Sequence, residues 1–198
     1  MTSLLSGIIE TRGSSKTTGG GFLNASDIAA DQPTRITILG DKSVTGYEVW
    51  GTGEGGKRVS MKFRTEPAKE DIQARADELE VTLKGDEKAR GFYVFAVWNY
   101  DLERVQIFQF SQASIIDPII NSLSDEEIQA EPHAYDFKVT TNGMTGMDKR
   151  YNVQCVPGKR RQPKIEKQIS EAWDKVVEEG FDMTVLFVGG DPYKGLNF

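Results

Sequence analysis

One stretch of twenty residues, Gly91–Phe110, most constrains how this chain can fold. It predicts two β-strands joined by a tight turn, and seven of its residues are aromatic. Side chains along a strand alternate between the two faces of a sheet. Phe92 and Trp98 therefore share one face, and Tyr93 and Phe95 share the other. Because one buried face cannot hold all these rings, we expect the second face to present rings outward, as in surfaces on which single-stranded nucleic acid stacks.

The counts of cysteine and histidine restrict the chemistry that is open to the protein. The 198 residues include one cysteine, Cys155, and one histidine, His133. A single cysteine excludes an internal disulfide and a cysteine-rich zinc site, and a single histidine argues against a histidine metal site or a Ser-His pair. Carboxylates are plentiful, but no pattern pairs a nucleophile with a base. We therefore expect no catalytic residues, no metal, no cofactor and no enzymatic activity.

The sequence also predicts where the protein works. No apolar run is long enough to span a bilayer, and the N-terminal residues lack the basic start and apolar centre of a signal peptide. We expect a soluble cytoplasmic protein with no membrane partner.

The charge is distributed unevenly along the chain. The net charge is −6, yet residues 57–64 hold four basic residues and no acid, and residues 138–164 hold seven basic residues and one acid. Residues 117–136 hold six acids and neither lysine nor arginine. We interpret the acidic run as solvated surface. The two basic runs predict a local positive field that can attract a polyanion to an acidic protein.

Hydrophobic periodicity predicts a mainly β (α+β) fold with helices between the strands. Strands are predicted at 34–39, 47–50, 57–64, within the aromatic hairpin, and at 135–140, 151–156 and 183–188, and helices at 67–83, 111–123 and 165–179. This order fits a five-stranded OB-type barrel with helical insertions and a C-terminal helix. We expect a flexible N-terminal arm over 1–33, one OB-like domain over 34–188 and an extended tail over 189–198.

The glycine-rich turn at 51–58 resembles a nucleotide-binding loop but fails two requirements. It matches G-x-x-x-x-G-K, but Arg58 stands where a Ser or Thr hydroxyl would hold Mg²⁺. The motif also needs a helix after it, and here the sequence alternates as a strand. We therefore exclude a phosphate-binding loop of this type.

The strand that follows this turn has one apolar and one basic face. Arg58, Lys62 and Arg64 alternate with apolar residues, which predicts a half-buried strand with a cationic outer face. Such cations would neutralise phosphates, while rings near turns would stack on bases. The candidate nucleic-acid contacts are Trp50, Lys57, Arg58, Lys62, Arg64, Tyr93, Phe95, Trp98, Tyr100, Lys149, Arg150, Tyr151, Lys159, Arg160 and Arg161. Phe92, Phe108 and Phe110 are assigned to the core.

Six segments resemble the single-stranded DNA-binding proteins of tailed bacteriophages, in the same order along the chain. They are GYEVW at 46–50, FAVWNY at 95–100, RVQI at 104–107, SQ at 111–112, YDFKV at 135–139 and KRYNV at 149–153. The resemblance implies an OB fold that coats single-stranded DNA without base preference during replication and recombination in the host cytoplasm. It implies contacts at Trp50, Arg58, Lys62, Arg64, Trp98, Tyr100, Arg150 and Tyr151, and replication proteins of phage or host as candidate partners.

The chain departs from this family in two places. Many members end in an acidic tail that recruits partners, whereas this sequence ends in YKGLNF. Some members carry a cysteine-rich zinc insertion, and here an acidic helical segment near 70–83 takes that place. An alternative hypothesis is a protein-interaction or structural module of a phage replisome or virion that does not contact DNA.

Overall fold

The computed structural model describes residues 21–85, 87–145, 148–157 and 161–193, and it shows one mixed sheet with helices on both faces. The strands are β1 (Phe22–Asn24), β2 (Thr34–Thr52), β3 (Arg58–Phe63), β4 (Arg90–Asn99), β5 (Arg104–Phe110), β6 (Tyr135–Thr141) and β7 (Tyr151–Pro157). Their order is β1-β5-β4-β2-β6-β7, with β3 added to β2. The mainly β class with some helices is confirmed. The seven strands described form a sheet that is not closed into a barrel, and in this the structure differs from the predicted five-stranded OB-type barrel.

The long strand β2 organises this sheet. The sequence predicted two strands at 34–39 and 47–50, but the structure has one strand of 19 residues with a register shift between Leu39 and Ser43. Gly40 lies at this shift with φ of 66°, a conformation that glycine adopts easily. One edge of β2 pairs with β4, while its other edge pairs first with β6 and then with β3. The basic strand is thereby joined to the aromatic hairpin.

Four α-helices and four short 3₁₀ helices complete the described fold. The helices are α1 (Lys69–Glu78), α2 (Ala113–Leu123), α3 (Glu126–Ala130) and α4 (Pro163–Glu178). Pro163 suits the first turn of α4, where its missing N–H has no helical partner to lose. The predicted strand at 183–188 is wrong, since Met183–Val188 forms a 3₁₀ helix. The Asp182 side chain accepts a hydrogen bond from the Thr184 N–H, and Gly189 ends the turn in the left-handed region.

Both faces of the aromatic hairpin are buried. On one face Phe95 and Phe108 pack in a cluster that includes Ile115 of α2. On the other face Phe92 and Trp98 pack in a cluster that includes residues of α4 and of the 183–188 turn, which is the 3₁₀ helix described above. The assignment of Phe92, Phe108 and Phe110 to the core is confirmed. Helices cover both faces of the hairpin, which explains its many aromatic rings. The expectation that one face presents its rings outward is therefore wrong for most of the hairpin.

A third cluster lies beneath β3 and confirms its predicted alternation. Met61 is buried with Val49 of β2 and with Ile72 and Ala76 of α1, and Val59 and Phe63 pack against this cluster. The helix predicted at 67–83 is shorter in the structure, where α1 begins at Lys69 and ends at Glu78. The opposite face of β3 does not pack against α1, and it carries the candidate site.

The N-terminal arm and the C-terminal tail fall partly outside the described residues. Residues 1–20 and 194–198 are not described. Within the predicted arm, β1 pairs in parallel with β5, and Ile28 is buried in the core. Within the predicted tail, Tyr193 is buried against the second cluster.

Candidate nucleic-acid interface

One row of paired residues crosses three strands where the helical cover ends. Glu48 on β2 lies opposite Lys62 on β3 and opposite Arg90 on β4. Directly paired residues share a face of the sheet. Trp50, two residues after Glu48, lies on the same face and pairs with Ser60. The sheet thus places an indole beside two cations and one carboxylate.

A groove runs over this face. Its volume is about 1410 Å³, which exceeds the range of roughly 300–1,000 Å³ that is usual for small-molecule pockets. Five basic side chains line it, against the three carboxylates of Glu48, Glu87 and Asp191. The basic residues are Arg58, Lys62, Lys84, Lys88 and Arg90, and the aromatic residues are Phe22, Trp50, Phe110 and Tyr193. The groove therefore combines excess positive charge with rings and suits an extended anion.

Trp50 is the most exposed aromatic side chain of this groove. Its exposed fraction is 37%, and the guanidinium carbon of Arg58 lies 4.8 Å from its ring centroid. Arg58 is itself exposed. An exposed indole is a surface on which any base can stack, and an adjacent guanidinium can pair with a phosphate. The structure therefore brings these two predicted residues into contact.

The other predicted cations of this segment also lie near rings. Lys62 Nζ is 5.9 Å from the Phe92 ring centroid, and the guanidinium carbon of Arg64 is 4.5 Å from that of Phe187. Burial lowers the pKa of Lys62, and the nearby charge of Glu48 partly opposes this. Lys57 is exposed immediately before β3. The basic face that alternation predicted is therefore present.

The second basic segment adjoins one end of the groove. Lys149 Nζ lies 5.0 Å from the Tyr151 ring centroid. The Tyr151 hydroxyl donates a hydrogen bond of 2.9 Å to the backbone oxygen of Ala25, a residue that lines the groove. The Tyr151 N–H donates to Ser114 Oγ on α2. Arg150 beside them is exposed, so this segment can extend the cationic path beyond the groove.

Three aromatic candidates are not placed for stacking. Trp98 is 2% exposed and Phe95 is 8% exposed, so the expectation that these rings face outward is wrong. Helix α4 covers the first, and helix α2 covers the second. Tyr93 is half-buried, and its ring stacks on that of Phe110 at a centroid distance of 6.3 Å. A base cannot reach the buried rings while these helices stay in place.

Tyr100 and Arg161 belong to a buried ionic network rather than to the groove. Asp136 has a fully buried side chain and forms ion pairs with both Arg35 and Arg161. The Tyr100 hydroxyl donates to Asp136 Oδ1 at 3.0 Å, and Arg161 also donates to Thr37 Oγ1 at 3.0 Å. Burial raises the pKa of Tyr100, and the Asp136 charge adds to this. These contacts tie the start of β2, the hairpin turn and β6 to the chain before α4.

Three basic residues of the groove are not predicted from the sequence. Lys84, Lys88 and Arg90 line the groove, but acids are interspersed among them, so they form no basic run. The Glu87 carboxylate accepts hydrogen bonds from the backbone N–H groups of Lys84 and Gly85, which folds this loop on itself. Pairing of β4 with β2 is what brings Arg90 to the site. The predicted contacts Lys159 and Arg160 lie outside the described residues.

In the ranges that the structure describes, no three or more His, Cys, Asp or Glu side chains group as metal ligands. No helix within those ranges has the length and apolar character needed to cross a bilayer.

Comparison with known proteins gives no relative for this chain. No family model matches it, and neither the curated proteins nor the solved structures contain a significant match.

Proposed function

We propose that this protein binds single-stranded DNA in the groove and coats it during phage replication and recombination in the host cytoplasm. The observation that carries the proposal is the exposed Trp50 ring, with Arg58 over it, in a groove lined by five basic side chains. Bases would stack on the indole, and phosphates would pair with the cations. Neither contact depends strongly on sequence.

The local charge makes this binding compatible with a net charge of −6. Association of a polyanion depends on the field at the site rather than on the sum over the molecule. The basic residues of β3, of β4 and of the 84–88 loop meet on one face. Lys149, Arg150 and Tyr151 would extend the path of the strand past Ala25.

We also propose that this sheet is related to the barrel of the OB fold. The strand β2 would then correspond to the long, bent strand of the barrel, whose one edge pairs with two other strands. The sheet would then be an opened variant of the barrel, with helices covering what a barrel would enclose. The groove would lie along β2, β3 and β4, on the face left open by those helices.

Binding of labelled oligonucleotides tests this function. A fluorescein-labelled oligo-dT and a duplex of equal length are titrated with the protein at low ionic strength, with fluorescence anisotropy as the readout. We expect the single strand to bind more tightly, because only unpaired bases can stack on Trp50. Absence of binding, or equal affinity for duplex, would refute the proposal.

A second candidate function is a protein-interaction module that does not contact DNA. It is favoured by exposed apolar side chains that do not line the groove, including Leu102 at 52%, Val177 at 51% and Val188 at 73% exposure. A replication or virion protein that binds there would be captured independently of nuclease treatment and added salt. Loss of all captured partners after nuclease treatment would contradict this candidate.

A further inference from the structure

The groove contains a buried carboxylate that phosphate binding does not explain. Glu48 is 4% exposed and lines the groove between Lys62 and Arg90. A negative charge at this point opposes a phosphate backbone, and its burial costs solvation free energy. A role that requires an acceptor would account for its presence.

The hydrogen bonds of Glu48 leave part of its capacity unused. Ser60 Oγ donates to Oε2 at 3.3 Å, and Gln109 Nε2 donates to the same oxygen at 3.2 Å. Among the residues that the structure describes, no hydrogen bond reaches Oε1 and no basic nitrogen lies within 4.0 Å of the carboxylate, although its charge acts on Lys62. Because a carboxylate oxygen accepts more than one hydrogen bond, Oε1 can take a donor from a ligand in the groove.

The position of Glu48 relative to Trp50 identifies the part of the ligand that would meet it. The two residues lie on the same face of β2, two positions apart, which separates their Cα atoms by about 7 Å. A base stacked on Trp50 would extend its hydrogen-bonding edge along the strand. That edge would meet the Glu48 carboxylate, with Lys62 as a neighbouring donor.

The donor pattern of the bases then decides which of them fits. Cytosine presents an exocyclic amino group, the donor with which Asp and Glu pair in base recognition. Thymine presents a carbonyl oxygen at the same ring position, and two acceptors facing each other repel. We propose that Glu48 reads the base stacked on Trp50 and favours the amino-bearing cytosine over thymine. This inference rests on the proposed function and adds a base preference at one position.

Matched homopolymers test the preference. The affinities of oligo-dC and oligo-dT of equal length are compared near neutral pH, in wild-type protein and in Glu48→Gln. We expect dC to bind about fivefold more tightly to the wild type, at the lower end of what one base contact gives. In Glu48→Gln the ratio should approach one, because a carboxamide can either donate or accept. Thermal unfolding of the variant checks that it folds.

A matched variant separates base reading from the simple removal of charge. Glu87 is another carboxylate that lines the groove, but it accepts a hydrogen bond from the backbone N–H of Gly85 in its own loop. Glu87→Gln should strengthen binding of dC and dT alike and leave their ratio unchanged. An equal gain for both homopolymers in Glu48→Gln, with the ratio kept, would mean that Glu48 acts only as a repulsive charge, and would overturn the inference.

A modified oligonucleotide tests the contact without relying on a variant. Replacing cytosine by 2-pyrimidinone removes the amino group and adds no bulk. We expect this oligonucleotide to lose the dC advantage with the wild type and to bind Glu48→Gln as dC does. If dC and dT bind the wild type equally, this inference fails while the proposed function stands. If neither binds, the proposed function itself fails.

Discussion

Trp50 presents its indole to the groove, whereas Trp98 lies under α4 with 2% of its surface exposed. We expect Trp50→Ala to weaken oligonucleotide binding by about 1–3 kcal/mol, the usual value of one stacked base. We expect Trp98→Ala to lower the free energy of unfolding by about 3–5 kcal/mol, because it leaves a cavity in the core. Anisotropy titration and urea unfolding measure the two effects. A stable Trp98→Ala protein with weakened binding would show that this ring contacts DNA.

Lys62 should make binding sensitive to pH. Burial lowers its pKa, so its positive charge is lost at a lower pH than that of an exposed lysine. Because only the charged form attracts phosphate, affinity should fall as pH rises from neutral towards the ordinary lysine pKa near 10.5. Lys62→Arg should lose less affinity than the wild type over the same range, since guanidinium stays protonated while the other lysines of the groove still titrate. Parallel pH profiles for the two proteins would contradict a role for the Lys62 charge.

At the scale of elements, the cationic face of β3 should determine how salt affects binding. Each phosphate contact on single-stranded DNA contributes about 0.7 to the slope of log affinity against log salt. Arg58→Ser combined with Lys62→Ser should therefore reduce that slope by about 1.4. Lys138→Ser is the matched control, because Lys138 is exposed on β6 and does not line the groove. An equal reduction in the control would show that net charge, rather than the groove, governs binding.

The elements differ in how well the sequence predicted them, and the differences have physical causes. The alternation in β3 reveals its two faces because one of them packs on α1 and the other carries charge. The sequence does not predict the continuity of β2, because Gly40 directly follows the first predicted strand, although the structure has only a register shift there within one strand. The apolar run Met183–Val188 reads as a strand, but capping by Asp182 and Gly189 makes it a 3₁₀ helix.

At the scale of the whole molecule, the sheet depends on helices at both faces. Helix α4 and the 183–188 turn cover Phe92, Val94 and Trp98. A chain ending at Pro157 would expose these side chains and lose the ion pair of Arg161 with Asp136. We expect this truncated chain to lose cooperative unfolding in urea, as followed by circular dichroism. The full chain with Val177→Ser, a change on the exposed side of α4, should unfold like the wild type.

The sequence by itself determined the mainly β class, the strand positions of the aromatic hairpin and of β6 and β7, and the basic face of β3. These follow from local alternation, which depends only on neighbouring residues. Tertiary structure decided which rings are accessible, because coverage by α2 and α4 depends on segments distant along the chain. Long-range strand pairing also brought Arg90 beside Glu48 and joined Arg161 to Asp136. No local pattern encodes such contacts, so the groove and its buried carboxylate became visible only in the folded molecule.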